Sequence, residues 1–484
     1  MKRIFEQRQI SAQGKILPLQ DFVLFCDVKG MPDPQKAELF AQKAQAAKEA
    51  AIPFIRATDY MYFERTGSRE KEALQNRRRE LLDHLLCAKL CKKEADIDKI
   101  IDLVWAIMEE SNWSWPAHNY QNNYDNGMRS PLPISYGEQN PHHIDLLAAF
   151  TGATLAFALY LCEKEFDAVA PVISQKLRYT LNERILRPFL EQEFWWMGLR
   201  RRTNNWNPWC ISNILTVCAL TEKDTERRTQ IAQRAMYLLD FYTDSLPDDG
   251  GCDEGPAYFG KAGASYFDAL EVLWDMSGGK IDVYDHPFVR KIAEYVVTVH
   301  INGHYFANFA DAPLRAGMDG CMLARYGARI KSESLSAFAA HMQALQDPGA
   351  FDIGSPYRDF KNLYTTNAPK DTVCPASIDG FMPDLQVMTK REFPAFDRGL
   401  CLVAKGGHNA ESHNHCDVGS FIVYADGEPL LVDTGRDTYT KDTFNDKRYT
   451  LWFMNSSYHN LPTIGAFKQL PGKEYKAEVL SYTK

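Results

Sequence analysis

Two histidines one residue apart, with an aspartate two further on, stand in the stretch ESHNHCDVGSFIVYADGEPLLVDTG, residues 411–435. Imidazole takes up and releases protons near neutral pH, and imidazole with carboxylate suits zinc. If 413–417 is extended, His413, His415 and Asp417 share one face, because side chains alternate along a strand. Asp433 ends the second apolar run of the stretch, and His459 follows in SSYHN. His415, Asp433 and His459 therefore offer a nitrogen–nitrogen–oxygen set for zinc, with water or a further side chain in the fourth position. The plainer reading is a group of polar residues at a strand mouth. Asp426-Gly427 marks a two-residue hairpin turn. Such a turn sets Asp433 opposite Ser420, so the chain must bend near Gly419 for His415 to reach it.

Other polar groups gather in the first two thirds of the chain. LRRRTNNWNPWC places Arg202, Asn204, Asn205 and Trp206 just before an apolar helix. The asparagines can cap that helix; the arginines are either a solvated face or a grip for carboxylate or sulfate. SLPDDGGCDEGPAYF sets Asp248, Asp249, Asp253 and Glu254 around a glycine-rich turn, with Tyr258 at the entrance to a helix. NGHYFANFADAPLRAG gathers His304, Tyr305, Asn308, Asp311 and Arg315 in one loop, and NWSWPAHNY brings Trp113, Trp115, His118 and Tyr120 together. Aromatic rings at a cleft can carry sugar faces, although tryptophan more often packs in a core.

The elements that must position these groups fall into two kinds. From about residue 33 to 345 the apolar spacing is helical, as in PQKAELFAQKAQAAKEAA, EALQNRRRELLDHLLCAKL and HIDLLAAFTGATLAFALYLCE, and it predicts about ten helices. Stacked helical hairpins of this kind build an α-solenoid or a closed α/α toroid. Turn formers fill 346–394, after which GLCLVAKGG, SFIVYADGEPLLVDTG and HNLPTIGAF read as strands. The expected organisation is a helical domain over 1–350, a linker with the first strands over 351–394, and a β domain over 395–484.

At 484 residues two or three domains are expected, and 45% hydrophobic content speaks for packed cores. A net charge of −8 disfavours a nucleic-acid binder. No run is read as reaching the roughly 18 apolar residues of a membrane span. No secretory signal is read at the start, and the eleven cysteines lack a regular spacing. A reducing, cytoplasmic setting is therefore expected. Cys87 and Cys91, one helical turn apart, read as small core residues.

Taken together, SHNHCDVGSFIVYADGEPLLVDTG, SSYHN, NNWNPW and the DEGPAYF tyrosine resemble the heparinase II/III-like polysaccharide lyases, in chain order across most of the sequence. The resemblance implies an incomplete α/α toroid followed by a C-terminal antiparallel β-sandwich, with a cleft between them. It implies β-elimination on glycans that contain uronic acid. Carried over, Asn205 neutralises the uronate carboxylate, Tyr258 is the Brønsted acid/base, and His413 is the second acid/base. Tyr439 in GRDTYT stands for a further catalytic tyrosine. His415, Asp433 and His459 would hold a structural zinc. Around them, Arg202, Asn204, Trp206, His118, Trp115, Glu254, Tyr305, Arg315 and Arg436 are the expected substrate contacts. The chain departs from the pattern at Trp206, where some members have histidine. Its β region is shorter than the family's usual sandwich, so a truncated or reduced one is expected.

The chemistry explains these residue types. The C5 proton of a uronate is weakly acidic, and a donor aimed at the neighbouring carboxylate stabilises the enolate-like intermediate. A tyrosine of depressed pKa and an imidazole can then exchange protons at C5 and O4. The expected partner is an acidic oligosaccharide or polysaccharide, with neither nucleic acid nor membrane; a homo-oligomer is compatible. Three rivals remain at this level: an inverting glycoside hydrolase using pairs among Asp248, Asp249, Asp253, Glu254 and Asp311, a hydrolase with catalytic zinc, and a non-catalytic carbohydrate binder.

Overall fold

The computed structural model describes residues 2–118, 132, 142–366, 376–440, 442, 443, 445 and 447–483. Each of the ten expected helices is present. The apolar centre is built by Glu72–Leu90, Leu146–Val169, Trp206–Thr221 and Gly263–Ser277, which follow one another around the molecule. Trp206–Thr221 is buried along its whole length, packed on Leu146–Val169, Gly263–Ser277 and Thr225–Ser245. The amphipathic helices lie outside this layer. Ile97–Met108, for example, turns Ile100, Leu103, Val104 and Ile107 inward and leaves Trp105 exposed.

Leu146–Val169 departs from the expectation that no span-length apolar run exists. Its 24 residues are long and apolar enough to cross a membrane by length and composition, yet 83% of the apolar window is buried inside this fold. A helix that is hydrophobic all round belongs at the centre of a large core as readily as in lipid. Its start is fixed by Asp145, whose side chain accepts from Ala148 N at 2.8 Å.

Besides three short helical turns before residue 67, two helices of the core escaped the periodicity reading. Gly320–Ile330 contains Gly320 and Gly327, and a Cβ at either would collide with the helix Glu333–Leu345 packed against it. Pro356–Asn362, inside the stretch read as linker and first strands, packs among the central helices. Arg358 donates to buried Asp268 at 2.6 Å, Lys361 pairs with Glu271 at 2.8 Å, and Tyr357 OH donates to Asp275 at 2.6 Å. This short helix touches all four central helices and so sits among them as a common packing partner. Asp268→Ala would strand the buried Arg358 guanidinium, with an expected loss of about 3–5 kcal/mol of stability by chemical denaturation.

A two-stranded ribbon, β1 (His300–Asn302) and β2 (Tyr305–Phe306), leaves the helical domain. The second lobe contains β3 (Asp379–Met382), β4 (Val387–Arg391), β5 (Leu400–Lys405), β7 (Phe421–Ala425) and β8 (Glu428–Leu431) as one antiparallel sheet in the order β3-β4-β5-β7-β8. A separate pair joins β6 (His408–Asn409) to β9 (Gly472–Lys476). The β7–β8 turn is at Asp426 and Gly427, both with positive φ, as the Asp-Gly signal requires. HNLPTIGAF forms no strand; it turns, with a single bridge between Ile464 and Phe467. The inner face of the sheet buries Cys401, Val403, Ile422 and Tyr424, while Leu400, Leu402 and Phe421 face outward, exposed.

The lobes are bonded across their interface. Asp249 accepts from the backbone N–H groups of Asp384 and Leu385, both at 2.8 Å. Thr389 Oγ1 donates to Thr298 O at 2.9 Å and Asn308 Nδ2 to Asp433 O at 2.9 Å. At Gly435 (φ +58°) an added Cβ would lie 2.4 Å from Ala312 O, so only glycine lets the β lobe approach the helical loop this closely.

Candidate active site

The segment 411–418 is a loop between β6 and β7, not a strand, which corrects the alternation argument. His413 adopts a left-handed backbone conformation (φ 53°), uncommon for a side chain with a Cβ. Asp417 does not join the histidines. It bonds Lys405 Nζ at 2.7 Å, and Glu411 takes the same ammonium at 2.9 Å, so a buried lysine holds both ends of the loop. Ser412 N donates to Asp253 at 3.3 Å, Arg448 Nε to Asn414 O at 3.0 Å, and Cys416 N to Met454 O at 3.0 Å.

What gathers the site is Asp311, from the helical domain and fully buried. Its Oδ2 accepts from His413 Nδ1 and, at 2.8 Å, from Tyr439 OH. Its Oδ1 accepts from His415 Nε2 at 2.9 Å and from Arg448 Nη2 at 3.4 Å. Tyr439 OH lies 2.7 Å from Tyr258 OH, and the Tyr258 and His413 rings are 4.6 Å apart between centroids. His413 Nε2 faces Glu254 Oε2 at 3.3 Å, while Glu254 Oε1 accepts from Asn205 N at 3.4 Å. Tyr258, His413 and Tyr439 thus meet, and Asn205 joins them through its backbone N–H on Glu254. Asn205 opens its helix with no side-chain cap bond, and its buried amide oxygen has no partner. Capping falls instead to Asn204, which accepts from Trp206 N at 3.1 Å.

Burial shapes the electrostatics. It pushes the Tyr258 phenol above its ordinary value, outweighing the bond from Tyr439, and it raises Tyr439 likewise. The expected depressed tyrosine is therefore absent: burial and the nearby carboxylates Glu254 and Asp311 favour the protonated phenol at both. Burial also lifts the Glu254 carboxyl to about 7. For Asp311 burial pushes upward, but the bonds from His413 and His415 outweigh it and hold the carboxyl well below its usual range. Burial lowers His413, yet Glu254 and Asp311 outweigh that and raise it.

His415, Asp433 and His459 converge as a second cluster, with one ligand atom from each lying within 4.8 Å of the others. Gly419, at φ +89°, supplies the required bend, and Ser420 Oγ donates to Asp433 Oδ2 at 3.1 Å. His415 Nδ1 and His459 Nε2 are both buried without a hydrogen-bond partner, a costly state that a metal ion would relieve. Donor set and orphaned nitrogens fit zinc. The cluster is buried throughout, as a bracing metal requires and a catalytic one, with an open position, does not. Zinc at a hundredfold excess over its Kd is expected to add about 2.7 kcal/mol of stability, read as a thermal shift that His459→Ala abolishes.

The remaining candidates divide. Arg436 lies 5.3 Å from the Tyr439 ring, and Arg202 donates to Asp253 at 3.0 Å, beside the 411–418 loop. Trp206, His118 and Trp115 pack on one another: His118 and Trp206 ring centroids are 4.5 Å apart, His118 Nδ1 meets Asp145 at 2.7 Å, and Trp115 Nε1 donates to Asn76 at 2.8 Å. All three are buried, as core side chains are. Tyr305 and Arg315 bond each other at 2.7 Å, and Tyr305 packs on Tyr424 of the sheet. Tyr120 lies outside the described residues. Of the five hydrolase carboxylates, Asp248 pairs with Lys2, Asp249 with the lobe interface and Asp253 with Arg202, while Glu254 and Asp311 both bond His413. Sequence reasoning took Asp311 only as a hydrolase acid and missed Arg448 and Lys405; nothing local marks a residue whose partners arrive from another lobe.

The heparinase II/III-like, C-terminal family pattern matches residues 385–465, which include His413, His415, Asp433, Tyr439 and His459. No curated protein sequence matches the chain. Among solved structures, heparinase III is similar with a TM-score of 0.54 at 13% identity, over 91% of this chain and 71% of that one. The heparan sulfate lyase HepC from Pedobacter heparinus gives a TM-score of 0.46 at 11% identity, over 94% of this chain and 63% of that one. Residues 385–465 thus match a heparinase II/III-like C-terminal domain, and the chain shares with heparinase III its fold of helices followed by an antiparallel β lobe.

Proposed function

We propose that the protein is a lyase that cleaves uronic-acid-containing glycans, glycosaminoglycan- or alginate-like, by β-elimination. The observation that carries this reading is the meeting of Tyr258, His413 and Tyr439 at one junction of the two lobes, with the backbone of Asn205 tied to His413 through Glu254. The similarity to heparinase III adds the fold on which such a site stands. In this reading the Asn205 amide faces the uronate carboxylate and stabilises charge developing at C5. Tyr258, which keeps its proton, delivers it to the departing O4. His413 and Glu254, facing each other at 3.3 Å, form the pair that accepts the C5 proton. Zinc, when bound at His415, Asp433 and His459, supplies no chemistry to the sugar; it braces the loop that carries His413.

Incubation with a panel of uronate oligosaccharides tests this. The expected result is ultraviolet absorbance from a C4–C5 double bond and products one water lighter than those of hydrolysis. Saturated products, or intact substrate across the panel with folded, zinc-loaded protein, would overturn the reading.

A further inference from the structure

We propose that Asp311 is a positioning residue that fixes the tautomers of His413 and His415 in opposite senses and thereby ties the metal cluster to the proton-exchanging histidine. For the part concerning turnover, this rests on the elimination reading; for the part concerning metal, it does not.

A carboxylate oxygen only accepts hydrogen bonds, so each imidazole nitrogen that meets Asp311 must carry hydrogen. His413 meets Oδ2 through Nδ1, and His415 meets Oδ1 through Nε2 at 2.9 Å. His413 therefore holds its proton on Nδ1, and Nε2, which faces Glu254 at 3.3 Å, is the nitrogen left to exchange protons. His415 holds its proton on Nε2, which leaves the Nδ1 lone pair. That atom is buried and without partner, in the cluster with Asp433 and His459. One carboxylate thus prepares a base and a ligand together. A carboxylate behind a metal-binding imidazole orients the ring and raises its basicity. Here the same group serves a second histidine.

The rest of the surroundings keeps Asp311 to this task. Tyr439 OH donates to Oδ2 at 2.8 Å and Arg448 Nη2 to Oδ1 at 3.4 Å, so these two neighbours are donors as well. Arg448 also donates to Asn414 O, the carbonyl between the two histidines, at 3.0 Å. Asp311 belongs to the helical domain and all four donors to the β lobe, so lobe docking and tautomer choice are one event.

Asp311→Asn provides the test. An amide offers one accepting oxygen and one donating nitrogen where two imidazoles both need an acceptor, so one histidine must move its proton or turn away. Nitrogen-15 correlation spectra of the histidine rings should show Nδ1–H for His413 and Nε2–H for His415 in the native protein, and one of the two changed in Asp311→Asn. Zinc affinity, from competition with a chelator, should fall about 10- to 100-fold, and turnover on a cleaved uronate should fall at least about 100-fold. Spectra and metal affinity unchanged in the variant would overturn the proposal. So would the opposite tautomers in the native protein, a measurement that stands even if the variant does not fold. Absence of turnover in the native protein would count against the lyase reading alone, because neither spectra nor zinc titration depends on it.

Discussion

Tyr258→Phe is expected to lower the elimination rate by about 10²- to 10⁴-fold, the range typical of losing one positioned acid, with KM changed only about threefold. The substitution removes one oxygen. The ring keeps its place 4.6 Å from the His413 ring, so the cleft retains its shape. What disappears is the proton for the leaving O4, together with the 2.7 Å bond to Tyr439. Burial has raised the Tyr258 phenol, so it stays protonated well above neutral pH, the state a general acid needs. Rates should be read by ultraviolet absorbance beside a thermal melt. A variant that melts like the native protein yet retains more than about a tenth of its turnover would mean that another group protonates O4. Tyr439, within bonding distance of Tyr258 and of Asp311, would be the first to examine.

Asn205→Ala is expected to lower turnover by roughly 10²- to 10³-fold, the effect of about 3–4 kcal/mol lost when one donor to a developing anion is removed. The competing role for this residue is a helix cap, whose loss costs about 1 kcal/mol of stability. The structure separates the two. Asn205 makes no side-chain cap bond at the start of Trp206–Thr221, and its amide oxygen is buried without a partner. Stability should therefore change little while turnover collapses. Asn205→Asp makes the sign explicit: it keeps the shape and puts a negative charge against the uronate, so it should be no better than alanine and should bind a uronate product more weakly. A stability loss that accounts for the lost activity would return Asn205 to a structural role.

Both predictions depend on side chains that sequence spacing brought forward singly. The helical domain was legible because its elements carry their own signals. Leu146–Val169 is a long run of good helix formers, Trp206–Thr221 is a mainly apolar stretch of helical length, and Asp426-Gly427 declares its turn by backbone preference. Gly320–Ile330 was not legible, because its glycines serve contact with a neighbour rather than helix propensity. The strand assigned to 413–417 failed for a related reason. Alternation on paper cannot register Lys405, whose ammonium draws Glu411 and Asp417 away and folds the segment into a loop.

The amino-acid sequence by itself determined the inventory: most of the long helices, where the hairpin turns, and that Asn205, Tyr258, His413 and the His415, Asp433, His459 set are present with suitable chemistry. Local spacing decides such things, since caps, turns and periodicity act within a few residues. Only the tertiary structure decided that Asp311 faces both histidines, that Glu254 links Asn205 to His413, and that both phenols are pushed toward their protonated form. Those depend on two lobes docking, which places residues about a hundred positions apart within a hydrogen bond of each other, and burial there sets the charge each group carries.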